Sequence, residues 1–299
     1  MNVLKRNPKV SVCVVTYNQE RYIRQCLQSI VDQITNFEFD VIVGDDASSD
    51  GTADIVKEFS LRYPEKVISV CHDKNIGPAQ NYFSVHNIAT GNYIAHIDGD
   101  DYCLPGKLQV QANLLDCDSK CNMVFHRMMV QKPNGEIANN IRSDVDSFDG
   151  IFFDRGSIIQ YIAIASHSSK MYRRAIRDFD IVAFDMPDYY VNVEQIGSGT
   201  ARIVSDKYYG VYRSGIGISS TGNKTRLMLR DCFLHFYKKY PEYHLQVNTA
   251  ALMYLVMDLK NGRKTWSMFF VVWVKTFHIG SILNLLRGLS FIKQLRFTN

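Results

Sequence analysis

The chain has 299 residues, of which 46% are hydrophobic and 21% are charged, and its formal net charge is +4 at pH 7. This composition is that of a globular protein with a sizeable core, and the length suggests one large domain or two smaller ones. The seven cysteines form no CxxC pair and lie mostly in apolar runs, which argues against a disulfide framework and for reduced, cytosolic thiols. The sequence also shows no signal peptide at its start and no run of 18 apolar residues, so we expect no conventional transmembrane helix.

The first 130 residues alternate between strand and helix patterns. Five apolar, β-branched segments predict buried strands, and four amphipathic patterns between them predict helices. The strands are expected at residues 9–17, 39–46, 66–72, 92–97 and 123–131. This β-α-β-α order predicts a mostly parallel sheet with helices on both faces, in which ligands bind at the carboxyl ends of the strands.

Acidic residues follow two of these predicted strands. Asp45 and Asp46 come after the second strand, and Asp98, Asp100 and Asp101 come after the fourth, within IAHIDGDDY. Clustered carboxylates raise one another's pKa and reduce stability unless a cation neutralises them. A solvated turn would explain one isolated cluster. Two clusters at the edge where a ligand should bind instead favour a site for Mg²⁺ or Mn²⁺ that bridges a diphosphate.

The residues after the first strand extend this site toward a nucleotide. Thr16, Tyr17 and Asn18 follow that strand. The ring of Tyr17 offers a face for a base, and Asp46 is placed to accept a hydrogen bond from a base N–H. The sequence contains no P-loop and no Rossmann fingerprint, so the pattern indicates a nucleotide-diphosphate pocket without a glycine-rich loop.

Three segments of the chain carry motifs in register. They are VSVCVVTYNQERYIRQCLQSIVDQ with an opening strand, a T-Y-N turn and a first helix, DVIVGDDASSDGT with a D-D-x-S-x-D-G-T element, and NIGPAQNYFSVHNIATGNYIAHIDGDD, which leads into a DxD motif. These segments resemble the motifs of bacterial family 2 glycosyltransferases with the GT-A fold. The resemblance covers residues 9–101 and thins out toward residue 220. It implies an α/β fold of the nucleotide-diphospho-sugar transferase type, with a mostly parallel sheet flanked by helices and a C-terminal helical extension.

The resemblance implies roles for individual residues of the donor pocket. Tyr17 would pack on the nucleobase, usually uracil, and Asp46 would bond the base N3–H. Asp100 would be the principal ligand of Mn²⁺ or Mg²⁺, with Asp98 on the ribose or metal side and Asp101 assisting. The same pocket would be lined by Thr16, Asn18 and Glu20.

Two departures from the family pattern qualify these roles. Gln80 stands where many members carry an arginine, just before the asparagine matched by Asn81, so one phosphate contact comes from elsewhere or is missing. The Q-x-x-R-W motif of processive synthases is absent, which favours transfer of a single sugar.

The second half of the chain is expected to supply the catalytic base and a lid. Inverting transfer needs one carboxylate to take the proton of the acceptor hydroxyl. FDMPDYYVNVEQIGSG resembles the family's short acidic element and places the base at Asp188, with Asp185 as the competitor and a helix N-cap as the alternative role for either. GVYRSGIGISS resembles the family's Y-R-x-H-x-x-G-x-S loop without its histidine. In that loop Arg213 would contact the diphosphate, and Gly215 and Gly217 predict a mobile lid over the donor.

The other candidate residues have a structural interpretation, and some of them also have a functional one. SHSSKMYRR resembles the segment that backs the acceptor site, and its His167 either contacts donor or acceptor or is a structural polar group. His96, inside the fourth strand, is expected to be structural. Tyr189 and Tyr190 either shape the sugar pocket or pack in the core.

The C-terminal residues combine apolar and basic character. From residue 260 onward there are seven Lys or Arg and no Asp or Glu, whereas the rest of the chain holds 27 basic and 30 acidic residues. Lys275 and His278 interrupt the apolar run, so residues 261–299 are expected to lie in a membrane interface rather than to span it. A helical cap packed on the catalytic domain, with solvated cations, is the alternative.

These features together predict an inverting, metal-dependent glycosyltransferase. Residues 1–222 would form the catalytic domain, with nucleotide-sugar binding in 1–130 and the acceptor side in 131–222, and 223–299 a helical, basic region. The expected donor is a UDP-sugar, and the expected acceptor is a polyprenyl-diphosphate-linked sugar at the cytoplasmic face of the plasma membrane, in O-antigen or capsule synthesis. The alternative is an inactive nucleotide-sugar or glycan-binding module, and no nucleic-acid partner is expected.

Overall fold

The chain forms two compact units in the computed structural model, which describes residues 8–138, 151–162, 164–216 and 223–295. The first unit contains the described residues of Met1–Phe152, Ala165–Asp178 and Gly199–Ser214. The second contains those of Phe153–Ile164, Phe179–Ser198 and Gly215–Asn299.

The first unit is built on one sheet whose described strands run in the order β3-β2-β1-β4-β8-β6-β9-β5, with β7 paired to β6. β1 pairs in parallel with β2 and β4, β2 with β3, and β6 with β9, whereas β8 and β5 are antiparallel to their neighbours. All five predicted strands are present, so the expected mostly parallel sheet is confirmed. The strands are β1 (Val10–Thr16), β2 (Phe39–Asp45), β3 (Val67–Cys71), β4 (Tyr93–Asp98), β5 (Tyr102–Cys103), β6 (Cys121–Gln131), β7 (Ile137–Ala138), β8 (Met171–Arg173) and β9 (Thr200–Arg213).

Four helices belong to the first unit, and the first three each follow a parallel strand. They are α1 (Glu20–Val31), α2 (Thr52–Arg62), α3 (Pro78–Ile88) and α4 (Lys107–Cys117). The inward face of α1 carries Ile23, Leu27 and Ile30, which are fully buried in one core with the β-branched residues of β1 and β2. Burying each such side chain stabilises the fold by about 1.5–3 kcal/mol, which is why the apolar period predicts the helix face. Gly106 precedes α4 with φ of 90°, a conformation that favours glycine.

The register of the central strands aligns their carboxyl ends. Thr16 at the end of β1 lies opposite Asp45 at the end of β2, and Val15 lies opposite Asp98 at the end of β4. The segments that leave these three strands therefore begin side by side at one edge of the sheet.

The second unit is helical in its described part. Its helix α8 contacts α5, α7, α9 and α10, and the buried Asn248 of α8 donates to the carbonyl of Trp273 and to the hydroxyl of Thr276. A helical C-terminal extension is therefore confirmed. None of the helices in the described residues has the length and apolarity needed to cross a bilayer. The bounds are α5 (Arg155–Tyr161), α6 (Asp188–Gln195), α7 (Asn223–Lys239), α8 (His244–Lys260), α9 (Trp266–Lys275) and α10 (Ser281–Leu295).

The compact units divide the chain differently from the predicted domains. Segments 153–164 and 179–198, expected on the acceptor side of the catalytic domain, pack in one unit with the described residues after 214. The boundary at residue 222 and the lid residue Gly217 lie outside the described residues. The assignment of functions to domains stays a prediction.

Candidate active site

The loop after β4 passes close over the end of β1. The N–H of Gly99 donates to the carbonyl of Val15 at 2.8 Å. A Cβ on Gly99 would lie 2.5 Å from Oε1 of Gln19 and 2.8 Å from Cβ of Thr16, so only glycine fits between the flanking acids. This close approach fixes the acidic loop against the residues that follow β1.

Asp98 is held at both carboxylate oxygens. Its Oδ1 lies 3.1 Å from Nε2 of His96, and its Oδ2 accepts a hydrogen bond from the hydroxyl of Ser168 at 3.2 Å. Burial alone would raise the pKa of Asp98, but the hydrogen bonds from His96 and Ser168 and the nearby charge of Lys170 keep it below its ordinary value. Asp98 is therefore a fixed negative charge in the site.

The pKa values of Asp100 and Asp101 are raised by burial and by neighbouring negative charges. Burial first, and then the charge of Asp98, raises the pKa of Asp100 to about 6. The same causes, with the charge of Asp100 added, raise the pKa of Asp101 well above its ordinary value. Oδ1 of Asp101 accepts from the backbone N–H of Arg213 at 2.9 Å, whereas its Oδ2 is buried and has no hydrogen-bond partner among the described residues. A cation would relieve both the repulsion and the unsatisfied oxygen.

The acidic loop fits a divalent cation that is shared with a substrate. Among the described residues, no three His, Cys, Asp or Glu side chains converge on a point that could hold a metal ion. A Mg²⁺ or Mn²⁺ ion commonly takes only one or two carboxylates and completes its shell with phosphate oxygens and water. The oxygen chemistry, the orphaned Oδ2 and the raised pKa values suit such an ion, with Asp100 and Asp98 as the candidate ligands.

At the end of β1, one aromatic side chain is exposed and its neighbours form hydrogen bonds within the protein. Tyr17 is 47% exposed at the sheet edge, where its ring is accessible to a ligand. Thr16 is buried, and its hydroxyl donates to Oε1 of Gln19 at 2.8 Å. Gln19 in turn hydrogen-bonds to Asp100 and lowers its pKa slightly against the larger effect of burial. Gln19 is a site residue that the sequence analysis missed.

Asn18 and Glu20 connect the loop after β1 to the loop after β2. Oδ1 of Asn18, a residue with φ of 52°, accepts from the N–H of Ser49 at 2.8 Å. Oε2 of Glu20 accepts from the N–H of Gly51 at 3.0 Å. In the structure these two side chains shape the rim of the site by joining its two loops.

Asp46 is buried beneath the same rim. Its Oδ1 accepts from the N–H of Ile76 at 2.7 Å and its Oδ2 from the N–H of Gly77 at 3.0 Å. Each oxygen keeps a second lone pair, which is what a base N–H would use. Asn81 is a structural neighbour, because its side chain donates to the carbonyl of Gly44 at 2.9 Å, whereas Gln80 is exposed.

Arg213, at the end of β9, forms hydrogen bonds with the acidic loop. Its Nη1 donates to the backbone carbonyl of Asp100, its Nη2 to Oε1 of Gln25, and its Nε to Oε1 of Gln131 at 3.0 Å. The guanidinium also lies over two rings, those of Tyr22 and Tyr102. The observed contacts thus position Asp100, and a contact with a diphosphate stays a prediction.

The candidate bases belong to the second unit. Asp188 is the exposed first residue of α6, whose N-cap is Pro187, and its Oδ1 accepts from the N–H of Tyr189 at 2.8 Å. Asp185 is exposed and pairs with Nζ of Lys224 at 3.0 Å. The N-cap role is therefore not that of Asp188, and the choice between the two acids as base stays open.

The two tyrosines after Asp188 are core residues. Tyr189 and Tyr190 are buried, and their hydroxyls donate to the carbonyls of Ile159 at 2.9 Å and Asp180 at 3.0 Å. Packing is thus the interpretation that their surroundings support.

Several buried polar residues around Asp98 were not identified from the sequence. Ser168 binds Asp98, and Nζ of the fully buried Lys107 donates to the carbonyl of Ser168 at 2.6 Å. Gln111, one turn later on α4, donates to the carbonyl of Ser169 at 2.8 Å. The available signal was the polar pair Lys107 and Gln111, spaced four residues apart on the inward face of a helix.

The fold and the acidic edge define a transferase of the GT-A class. The family model "Glycosyl transferase family 2" matches residues 11–179, which is more than half of the chain. The chain therefore belongs to glycosyl transferase family 2, and the resemblance found in the sequence is confirmed.

Three known proteins share sequence or fold with this chain. An uncharacterised protein of Mycobacterium bovis is 32% identical over 209 residues, which are 68% of this chain but only 58% of that protein. S. aureus TarS 1–349, solved in complex with UDP-GlcNAc, superposes with a TM-score of 0.65 at 19% identity, over 96% of this chain and 81% of TarS. The mannosyltransferase PcManGT of Pyrobaculum calidifontis, solved with GDP-Man and Mn²⁺, gives a TM-score of 0.58 at 17% identity, over 97% and 86% of the two chains. At these identities the two structures support the fold alone.

Proposed function

We propose that the protein is an inverting glycosyltransferase that moves a sugar from a UDP-sugar to a lipid-linked sugar acceptor. The observation that carries the proposal is the acidic edge of the sheet, where Asp98 is ionised and burial raises the pKa values of Asp100 and Asp101. An edge of this kind is unfavourable in isolation and becomes favourable when a divalent cation and a diphosphate bind to it.

The donor would lie along the rim formed by the loops after β1, β2 and β4. The exposed ring of Tyr17 would stack on the base, and such stacking contributes about 1–3 kcal/mol. Asp46 would accept from the base N–H with a lone pair that its two backbone bonds leave. TarS was solved with UDP-GlcNAc and PcManGT with GDP-Man and Mn²⁺, which supports a nucleotide-sugar donor and a divalent cation here.

The transfer itself would be a direct displacement. The acceptor hydroxyl oxygen forms a bond to the anomeric carbon, the bond from that carbon to the diphosphate oxygen breaks, and the nucleoside diphosphate leaves. A bound Mn²⁺ or Mg²⁺ ion would supply charge neutralisation for the leaving diphosphate. Asp188 would take the proton of the acceptor hydroxyl, and a positioned base contributes about 10²–10⁴-fold. Asp100 and Asp98 would hold the metal ion, and through it the diphosphate end of the donor.

Ligand-dependent stability tests the donor site. A ligand that binds only the folded protein raises its stability by about 2.7 kcal/mol at 100 times its Kd. We expect UDP and one or more UDP-sugars to raise Tm in the presence of Mn²⁺ but not in EDTA. Asp100→Asn should abolish this shift, whereas Asp178→Asn, at an exposed acid paired with Arg177, should retain it. The absence of a shift with UDP, GDP and their sugars at millimolar concentration would contradict the proposal.

An inactive nucleotide-sugar or glycan-binding module would share this binding behaviour. Product formation separates the two functions, because only an enzyme converts the donor. Incubation with a radiolabelled UDP-sugar and a membrane extract should transfer label to a lipid-extractable acceptor in the presence of Mn²⁺. Binding without transfer or hydrolysis would favour the module.

The helices α9 and α10 supply a surface for the lipid-linked acceptor, which we name the apolar face. Only part of α9 is covered, since Phe269 and Val272 are buried within the second unit while four other large residues of this helix are exposed. A helix of 10 residues is about 15 Å long and cannot span a bilayer. The exposed residues of the apolar face are Trp266, Phe270, Val271, Val274, Phe277, Ile279, Ile282, Leu283, Leu286 and Leu289.

Basic residues border the apolar face. Arg263, Lys264, Lys275 and Arg287 are exposed, and the chain has no acidic residue after Asp258. Each cation near an anionic leaflet contributes about 1 kcal/mol, and helices with apolar and basic faces bind in the plane of the interface. The protein would therefore work at the cytoplasmic face of the plasma membrane on a polyprenyl-diphosphate-linked sugar, as in O-antigen or capsule synthesis.

Vesicle cosedimentation of the full chain tests the membrane contact. Phe270 and Leu286 are each about half exposed, so their transfer into the interface contributes roughly 2 kcal/mol for the pair, or about thirtyfold in partitioning. We expect the protein to pellet with phosphatidylglycerol vesicles and the double Ser variant to pellet much less. The control variants Ile34→Ser and Leu61→Ser alter exposed side chains of the other unit and should pellet like the wild type. Equal pelleting of all variants would contradict a membrane contact through the apolar face.

A further inference from the structure

A continuous line of buried hydrogen bonds ends on Asp98. The hydroxyl of Tyr172 lies 2.7 Å from Nδ1 of His86, Nε2 of His86 lies 3.0 Å from Nδ1 of His96, and Nε2 of His96 lies 3.1 Å from Oδ1 of Asp98. Tyr172, His86 and His96 are at most 1% exposed. The line joins β8, α3 and β4, so three separate segments of the first unit converge behind one carboxylate.

The chemistry of the groups fixes the direction of these bonds. An ionised carboxylate only accepts, so His96 donates from Nε2, and a neutral imidazole then accepts at Nδ1. His86 must therefore donate from Nε2 and accept at its own Nδ1 from the hydroxyl of Tyr172. Every donor in the line points toward Asp98. Such a chain polarises its members in one sense and strengthens the last bond, the one to the carboxylate.

The surroundings keep the rings neutral and oriented. The ring of Tyr82 stacks on His86 with centroids 3.7 Å apart, and the ring of His167 packs on His96 at 4.0 Å. The buried ammonium of Lys170 lies over the ring of Tyr172 at 5.3 Å. A proton added to His86 would lie in a dry site near that ammonium, and burial above all holds the pKa of His86 well below its ordinary value.

We propose that Tyr172, His86 and His96 are positioning residues, which fix and polarise Asp98 for its contact with the divalent cation or the ribose of the donor. This inference rests on the proposed donor site. Outer partners of this kind orient a ligand, and their loss typically weakens metal affinity by about 10–100-fold. Oδ2 of Asp98, held by Ser168, limits rotation of the carboxylate on the other side.

Calorimetric titration of the full-length protein with UDP in Mn²⁺ tests the positioning role. His96→Leu removes the donor to Asp98 and should raise the Kd for UDP by about 10–100-fold. His96→Gln keeps an amide donor near the place of Nε2 and should return the Kd to within a few-fold of the wild type. Tyr172→Phe removes only the terminal hydroxyl and should raise the Kd by a smaller factor, about three- to tenfold.

A matched control separates positioning from general destabilisation. Tyr93 lies at the other end of β4, and its hydroxyl donates to Oδ1 of Asp116 at 2.7 Å. Tyr93→Phe therefore removes a tyrosine hydrogen bond from the strand that carries Asp98 and should leave the Kd unchanged. A purely structural role would lower the stability of both tyrosine variants without raising the Kd of Tyr172→Phe above that of Tyr93→Phe, and it would give no recovery in His96→Gln.

The ¹⁵N resonances of the imidazoles give a readout that is independent of affinity. Long-range ¹H–¹⁵N spectra of the metal-free protein should show His86 and His96 as Nε2–H tautomers, and Tyr172→Phe should shift Nδ1 of His86. An Nδ1–H tautomer at either histidine, or a wild-type Kd in both His96→Leu and Tyr172→Phe, overturns the inference. A wild-type protein that binds no UDP in Mn²⁺ overturns the proposed donor site and this inference with it.

Discussion

Replacement of Asp100 by asparagine should stabilise the metal-free protein while removing its response to the cation. Burial and the charge of Asp98 raise the pKa of Asp100 from 3.8 to about 6. One pKa unit corresponds to 1.36 kcal/mol, so ionisation of this carboxyl costs the folded state about 3 kcal/mol once the pH is well above 6. Asn keeps the shape of the side chain and removes the charge.

The sign of the effect follows from proton uptake. Between pH 3.8 and about 6 the folded protein holds the proton on Asp100 and the unfolded chain does not, so the penalty is absent at low pH and grows as the pH rises. The stability difference, Asp100→Asn minus wild type, should be near zero at pH 4 and approach 3 kcal/mol at pH 7.5. For a chain of this length that corresponds to about 6 °C in Tm.

Thermal unfolding in EDTA from pH 4 to 8 measures this difference. The buried histidines are common to both proteins, so their effect on stability cancels in the comparison. Asp178→Asn should follow the wild type at every pH, because Asp178 is an exposed acid. Addition of Mn²⁺ and UDP should then reverse the order by stabilising only the wild type. A variant that is less stable than the wild type in EDTA at pH 7.5 would refute the view that the acids of this edge are strained without a cation.

Two further substitutions test the base and the acidic loop. Asp188→Asn should retain Mn²⁺-dependent UDP binding and lose turnover by 10²-fold or more, since only proton removal is affected. Normal turnover in Asp188→Asn together with a loss of turnover in Asp185→Asn would assign the base to Asp185. Gly99→Ala should destabilise the protein by about 1–3 kcal/mol and weaken UDP binding, because its Cβ would meet Oε1 of Gln19 at 2.5 Å. Urea unfolding and calorimetry measure both effects, and wild-type stability for Gly99→Ala would contradict the observed close approach.

The sheet shows how much of the fold the local sequence encodes. VSVCVV and FDVIV are apolar and β-branched, so their strands and parallel order are predictable from period and alternation. The strands β8 and β5 have only three and two residues, and no period identifies segments that short. β8 belongs beside β4 only because the rest of the fold brings Met171 opposite Ala95.

The acidic edge was predictable from the local sequence. Asp98, Asp100 and Asp101 follow a buried strand, and the carboxyl ends of parallel strands lie at the same edge of a sheet. Their electrostatic state was not predictable, because the pKa values depend on burial by residues distant in sequence. Arg213 illustrates the limit. Its motif suggested a diphosphate contact, whereas its guanidinium donates to the carbonyl of Asp100 and to the side chains of Gln25 and Gln131.

The sequence by itself determined the class of the protein, the positions of its central strands along the chain, the acids at their ends and the apolar, basic character of its last helices. Each of these properties is encoded in a short segment, where the period of the apolar residues or the spacing of a motif predicts the local structure. Only the tertiary structure decided which polar groups surround Asp98. Tyr172 and His86 are separated by 86 positions along the chain, yet their polar atoms lie 2.7 Å apart, since buried polar groups find their partners through the packing of whole elements.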